Sequence, residues 1–171
     1  MSRVVGCATA SAGATRELAG VVAGLCAPGD VILLSGDLGA GKTTFAQGFA
    51  HSLGIDEPVT SPTFTLLRSY EVIGVPSGIR TLLHADLYRL DHHSEIADLG
   101  LGELVEDGGV ALVEWGDAVE GVLGAGALTV SLAPVADEDD HRSVTVAAAD
   151  DGWRDRWPAL ERALSRWRVH G

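Results

Sequence analysis

The stretch Asp30 to Ala50, reading D-VILLSG-DLGA-GKTTFAQGFA, constrains this chain more than any other. Val31 to Leu34 is an uninterrupted apolar run and reads as a buried strand. From Lys42 to Leu53 the pattern is helical, and Gly54 stops it. Between the two lie Gly36, four residues, Gly41, Lys42 and Thr43. The spacing G-x-x-x-x-G-K-T between a strand and a helix marks a phosphate-binding loop. The glycines Gly36, Gly39 and Gly41 let backbone N–H groups turn towards phosphate oxygens. The helix start adds the positive end of its dipole. Lys42 reaches the β and γ phosphates, and the Thr43 hydroxyl ligates magnesium. Lys42 is also the only lysine among 12 basic residues. A chain that avoids lysine elsewhere keeps one where the chemistry asks for it.

The remaining composition narrows the class. A chain of 171 residues, 46% hydrophobic, is long enough for one domain with a substantial core. A net charge of −12 argues against broad binding of a nucleic-acid backbone by this chain alone, and leaves contact with a basic protein open. Cys7 and Cys26 lie far apart without a C-x-x-C pair, so they read as reduced core thiols, with neither a disulfide framework nor a zinc site. The N-terminus has no signal-peptide pattern and no apolar run is long enough to span a bilayer, so the expected location is cytoplasmic.

In chain order, Arg3 to Ala8 is a first strand, Ser11 to Thr15 a small polar link, and Thr15 to Leu25 a helix. Asp56 to Thr65 is a loop after the phosphate-loop helix, where nucleotide switches hold a hydroxyl that senses the γ-phosphate. Thr60, Ser61, Thr63 and Thr65 are the hydroxyls on offer; a proline-stiffened turn is the alternative. Phe64 to Ile73 and Arg80 to Leu87 are strands, and Asp86 falls near the carboxyl end of the second, where open α/β sheets place ligand-binding groups. The alternative for Asp86 is an acid capping the next turn. Asp91 to Glu106 reads as helical pieces broken at Gly100 and Gly102, with Ser94 as an N-cap and His92 and His93 in solvent. In Gly109 to Trp115 four apolar residues lead to Glu114, which describes a buried parallel strand tipped by an acid. Such an acid beside a phosphate loop holds magnesium or orients the attacking water. Ala127 to Ala133 and Ser143 to Ala148 are strands, with the acidic run Asp137 to Asp140 as a solvated hairpin loop between them. Arg154 to Val169 reads as one closing helix that places Trp157, Leu160, Leu164 and Trp167 near one face, for packing on the sheet or for another protein.

The order of elements predicts an α/β phosphate-loop NTPase fold in a single domain, residues 1–171. Its mainly parallel sheet is flanked by helices, with the C-terminal strands as antiparallel edges. The chain contains no asparagine, so the N-K-x-D guanine signature is impossible and ATP is favoured. Two classes remain: a stand-alone small-molecule kinase, or an ATP-driven switch acting on a partner. Kinases of this fold carry an arginine-rich lid; here Arg68, Arg80 and Arg89 are scattered, which favours the switch.

Four motifs then occur in order: G-D-L-G-A-G-K-T-T-F (Gly36 to Phe45), S-P-T-F-T-L (Ser61 to Leu66), H-A-D-L-Y-R-L (His84 to Leu90) and L-V-E-W (Leu112 to Trp115). Together they resemble the bacterial TsaE family, also called YjeE, over roughly residues 10–133. The resemblance implies a cytoplasmic ATPase needed for threonylcarbamoyladenosine at position 37 of tRNAs that read codons starting with A. It implies action on a pair of partners, the transferase TsaD with TsaB, and contact with tRNA only through them. By residue, it implies that Gly36, Asp37, Leu38, Gly39, Ala40, Gly41, Lys42, Thr43 and Thr44 bind the ATP phosphates. Thr43 and Glu114 would ligate Mg²⁺, and Thr63 would belong to the switch segment. Lys42, Asp86 and Glu114 would serve hydrolysis, and the stretch from Ser11 to Thr15 would lie beside the adenine. The chain departs from the family pattern at Gly116, where proline often follows the E-W pair, and in its tail beyond about Asp137.

Overall fold

The computed structural model describes residues 2–37, 39–60, 67–87, 101–114, 126–148 and 151–170. The expected switch hydroxyls from Ser61 to Thr65, the His92–His93 pair, the Ser94 N-cap and the departure at Gly116 lie outside them, as does Leu38. Among the described residues, seven strands form one sheet: β1 (Arg3–Thr9), β2 (Val31–Ser35), β3 (Leu67–Glu71), β4 (Thr81–Asp86), β5 (Gly109–Glu114), β6 (Leu128–Val135) and β7 (Glu138–Ala148). The helices are α1 (Ala12–Gly24), α2 (Lys42–Ser52), α3 (Leu101–Glu106) and α4 (Trp157–Ala163). The strand order is β1-β7-β6-β2-β5-β4-β3. The four central strands β6, β2, β5 and β4 run parallel, while β7, β1 and β3 pair antiparallel.

Burial explains why the central strands read as continuous apolar runs. All six residues of β5 and the first four of β2 are buried, as expected of parallel strands covered on both faces. Ile32, Leu34, Leu82, Val110, Leu112 and Val130 point to the face that holds Leu18, Val22, Phe45 and Phe49 of α1 and α2. Val31, Leu33, Leu83, Ala85, Ala111 and Val113 point to the other face, with Val105 of α3. Cys7 and Cys26 are free and buried, and burial raises both thiols above their ordinary range, Cys7 to about 11 against a partial lowering by Arg168.

The fold class is the expected one, and three details of it are corrected. The C-terminal strands are not both antiparallel edges: β6 joins β2 in parallel, and the outer edge is β1, which pairs with β7. The hairpin between β6 and β7 turns at Ala136 and Asp137, with Asp137 in the left-handed region at φ 64°, so Glu138 to Asp140 belong to β7 itself while staying exposed. The closing segment is three short pieces, not one helix: 3-10 turns at Asp151–Trp153 and Ser165–Trp167 flank α4. Pro158 falls in the first turn of α4, where its missing N–H costs nothing.

The tail is tied to its own domain. Trp153, Trp157, Leu160 and Leu164 are buried in the main core. The Arg156 guanidinium lies 3.9 Å over the Trp153 ring and pairs with both carboxylate oxygens of Asp30, 2.9 Å for Nη2 to Oδ1. Asp30 in turn accepts from Ala27 N–H in the turn leading into β2. Beyond, Arg168 bridges Cys7 and Val169 N–H donates to Gly6 O at 2.9 Å, covering part of the free edge of β1. Among the described residues no helix is long and apolar enough to cross a membrane.

Candidate functional site

The site lies at the carboxyl ends of β2, β5 and β4. After Ser35 the chain leaves the sheet through Gly36, whose φ of 148° suits glycine alone. A Cβ there would stand 2.6 Å from Leu132 O, so the loop is both turned and squeezed at this point. The loop closes at Gly41, the N-cap of α2, which caps with no side chain. Lys42, Thr43 and Thr44 form the first turn of α2, each partly exposed. A helix start that no side chain caps is an anion-binding terminus.

Two carboxylates stand beside this loop. Glu114 at the tip of β5 is in register with Leu34 of β2 on one side and with Asp86 of β4 on the other. Both acids are almost wholly buried, Asp86 at 7% and Glu114 at 3% exposure. Carboxylates are rarely buried to that extent unless paired or bound to a cation. Among the described residues no group of three or more His, Cys, Asp or Glu side chains could hold a metal ion. Magnesium needs no such group: one or two carboxylates with water and substrate phosphates suffice. The hard oxygen donors of Thr43 and Glu114 at the loop fit it.

Arg142 is a residue of the site that the sequence does not single out. From β7 its guanidinium donates to Ala40 O at 3.0 Å and Gly39 O at 3.3 Å, and to Asp139 O and His141 O of its own strand. It thereby holds the outer carbonyls of the phosphate loop against β7. No local signal announces this, because 102 residues separate Arg142 from Ala40. His84 stands in the sequence only as part of the H-A-D-L-Y-R-L motif, and the structure buries it beside Glu114.

The stretch from Ser11 to Thr15 does reach the loop. Ala12 and Thr15 line an open pocket with Gly41, Thr44, Asp140 and Arg142. The two hydroxyls are already engaged. Ser11 Oγ caps α1 by accepting from Ala14 N–H at 3.0 Å, and Thr15 Oγ1 shares a 2.7 Å hydrogen bond with Thr9 Oγ1. Thr60 of the switch-like loop accepts from Arg68 at 3.0 Å, and Gln47 of α2 donates to Val59 O at 3.3 Å, so the loop's first half is tied to the phosphate-loop helix and to β3. Thr63, Leu38, Ser61 and Thr65 lie outside the described residues.

Comparison with known proteins places the chain among relatives of one description. A family model described as "Threonylcarbamoyl adenosine biosynthesis protein TsaE" matches residues 9–144. The chain is 41% identical over 152 residues to a tRNA threonylcarbamoyladenosine biosynthesis protein TsaE of Bacillus subtilis, covering 89% of this chain and 88% of that one. It is 43% identical over 141 residues to the protein of the same name from Treponema pallidum, covering 82% and 98%. The crystal structure of Bacillus subtilis YdiB superposes with a TM-score of 0.74 at 34% identity, covering 97% of both chains. The tail beyond Asp137 therefore has a counterpart of similar extent in that structure.

Proposed function

This chain belongs to the TsaE family of tRNA threonylcarbamoyladenosine biosynthesis proteins, and on that premise we propose that it is a cytoplasmic ATPase whose hydrolysis cycle sustains turnover of a TsaB–TsaD transferase pair. The observation that supports the ATPase reading best is the placement of two buried carboxylates, Asp86 and Glu114, on adjacent strand tips beside the strand that feeds the phosphate loop. In this reading Gly36 to Thr44 cradle the phosphates of ATP, and Lys42 sets its charge against the β and γ phosphates. The Thr43 hydroxyl and Glu114 would hold Mg²⁺, which when bound would supply positive charge against the phosphates. Asp86 or Glu114 orients a water in line with the γ-phosphorus. Its oxygen bonds to phosphorus as the bond to the β–γ bridging oxygen breaks, and its proton passes to the departing phosphate, releasing ADP and phosphate. The open pocket lined by Ala12, Thr15, Asp140 and Arg142 adjoins the loop at Gly41 and Thr44, and in this reading the nucleoside lies on that side.

The loop through Thr63 then links the site to the partners. Its described start, Val59 and Thr60, is hydrogen-bonded to Gln47 of α2 and Arg68 of β3, which supports a link between this loop and the phosphate-loop helix. With a net charge of −12, this chain meets tRNA only through its partners.

Glu114→Ala tests the reading at its chemical centre. We expect hydrolysis to fall by about 10²-fold or more, measured as phosphate release on the folded variant. Near-parent hydrolysis in Glu114→Ala would remove the role assigned to that carboxylate.

A further inference from the structure

His84 is a buried polar side chain that the phosphate-loop chemistry leaves unused. It lies on β4 two residues before Asp86, at 1% exposure. Its Nε2 is 3.4 Å from Glu114 Oε1, and its Nδ1 is buried with no hydrogen-bond partner among the described residues. The neighbouring inward positions, Leu82, Val110 and Leu112, are aliphatic. A buried polar atom without a partner is destabilising, so an aliphatic residue would serve the core better. What the imidazole adds is its contact with Glu114. A carboxylate that holds a metal ion is ionised and only accepts, so in that reading Nε2 is the donor of this contact.

We propose that His84 is a positioning residue: its Nε2–H holds Glu114 Oε1, which leaves Oε2 as the oxygen for Mg²⁺ or a water bound to it. The proposal rests on the reading that Glu114 holds the metal. The chain places the rigid imidazole, with two side-chain torsions, against the longer glutamate, with three, and so limits the carboxylate's rotation. The 3.4 Å separation is at the long end for a hydrogen bond, and contacts of this kind shorten when the ligand is bound. Losing the partner that orients a metal ligand typically costs about 10–100-fold in metal affinity.

The test titrates Mg²⁺ into the full chain saturated with a non-hydrolysable ATP analogue and reads the apparent Mg²⁺ affinity. Nucleotide affinity is measured separately in EDTA. Four variants are compared: His84→Leu, His84→Asn, His84→Gln and Glu114→Gln. We expect His84→Leu and His84→Asn to weaken Mg²⁺ about tenfold while keeping nucleotide affinity in EDTA. His84→Gln, whose amide nitrogen reaches as far as Nε2, should stay close to the parent. Should His84→Leu fail to fold, the contrast of Gln with Asn carries the test alone. Parent-like Mg²⁺ affinity in His84→Leu or His84→Asn, with Glu114→Gln weakened, overturns the positioning role and leaves the metal reading standing. An unchanged Mg²⁺ affinity in Glu114→Gln overturns the metal reading, and the role of His84 with it.

Discussion

Lys42→Ala is expected to reduce ATP hydrolysis by about 10²-fold or more while the chain still folds. Lys42 is the first residue of α2, directly after the N-cap Gly41. Alanine is the best helix former, so the substitution does not harm the helix. It removes the one lysine, and with it the charge that the proposed function sets against the phosphates. Lys42→Arg is not expected to restore turnover. A guanidinium is a broad planar fork, while the loop motif calls for a compact point charge. Steady-state phosphate release and a thermal melt on each variant check this together. Parent-like turnover in Lys42→Ala would contradict the phosphate-loop reading.

Gly48→Ala sets two effects against each other, and their sizes decide the sign. Helix propensity alone favours alanine over glycine by about 1 kcal/mol. But α1 and α2 cross here with backbone against backbone. A Cβ at Gly48 would stand 2.4 Å from Arg16 O and 2.5 Å from Arg16 Cα. Four residues on, Ser52 Oγ donates to Gly20 O at 3.1 Å and fixes the same crossing. The obstacle is main chain and cannot swing aside, so the helices must separate, and overpacking of this kind costs about 1–3 kcal/mol. We expect a net loss of stability, with a melting temperature several degrees lower, and a larger loss in Gly48→Val. Because α2 begins at the phosphate loop, nucleotide affinity should fall in parallel. A higher melting temperature in Gly48→Ala would show that the crossing is looser than described.

What the sequence made legible follows from locality. The phosphate loop declares itself because a tight turn, a strand and a helix must be contiguous to build it. Strands β2 and β5 are legible because parallel strands covered on both faces must be apolar throughout. An acid ending such a run has to emerge at the carboxyl edge, which is how Asp86 and Glu114 come to stand side by side. Pairings between remote segments leave no such trace. Nothing in Arg3–Thr9 announces that it will lie against β7 and become the sheet's edge. Glu138 to Asp140 read as loop because acids disfavour strands. They extend β7 because an exposed hairpin end keeps them in water. The closing segment read as one helix because its apolar spacing is helical. Its geometry is set instead by the burial of Trp153, the salt bridge of Arg156 to Asp30 and the proline at the start of α4. Arg142 and Gly48 matter through what they touch, the loop carbonyls and the Arg16 backbone, and neither contact has a local signature.

The central claim is that this chain is an ATPase whose work is done on a transferase pair. The direct measurement is ATP hydrolysis by the purified chain, alone and with its own TsaB and TsaD. The account predicts weak turnover alone that rises when the pair is added, and loss of that rise in Glu114→Ala. Brisk turnover alone, unchanged by the pair and accompanied by a phosphorylated small-molecule acceptor, would contradict it and return the chain to the kinases.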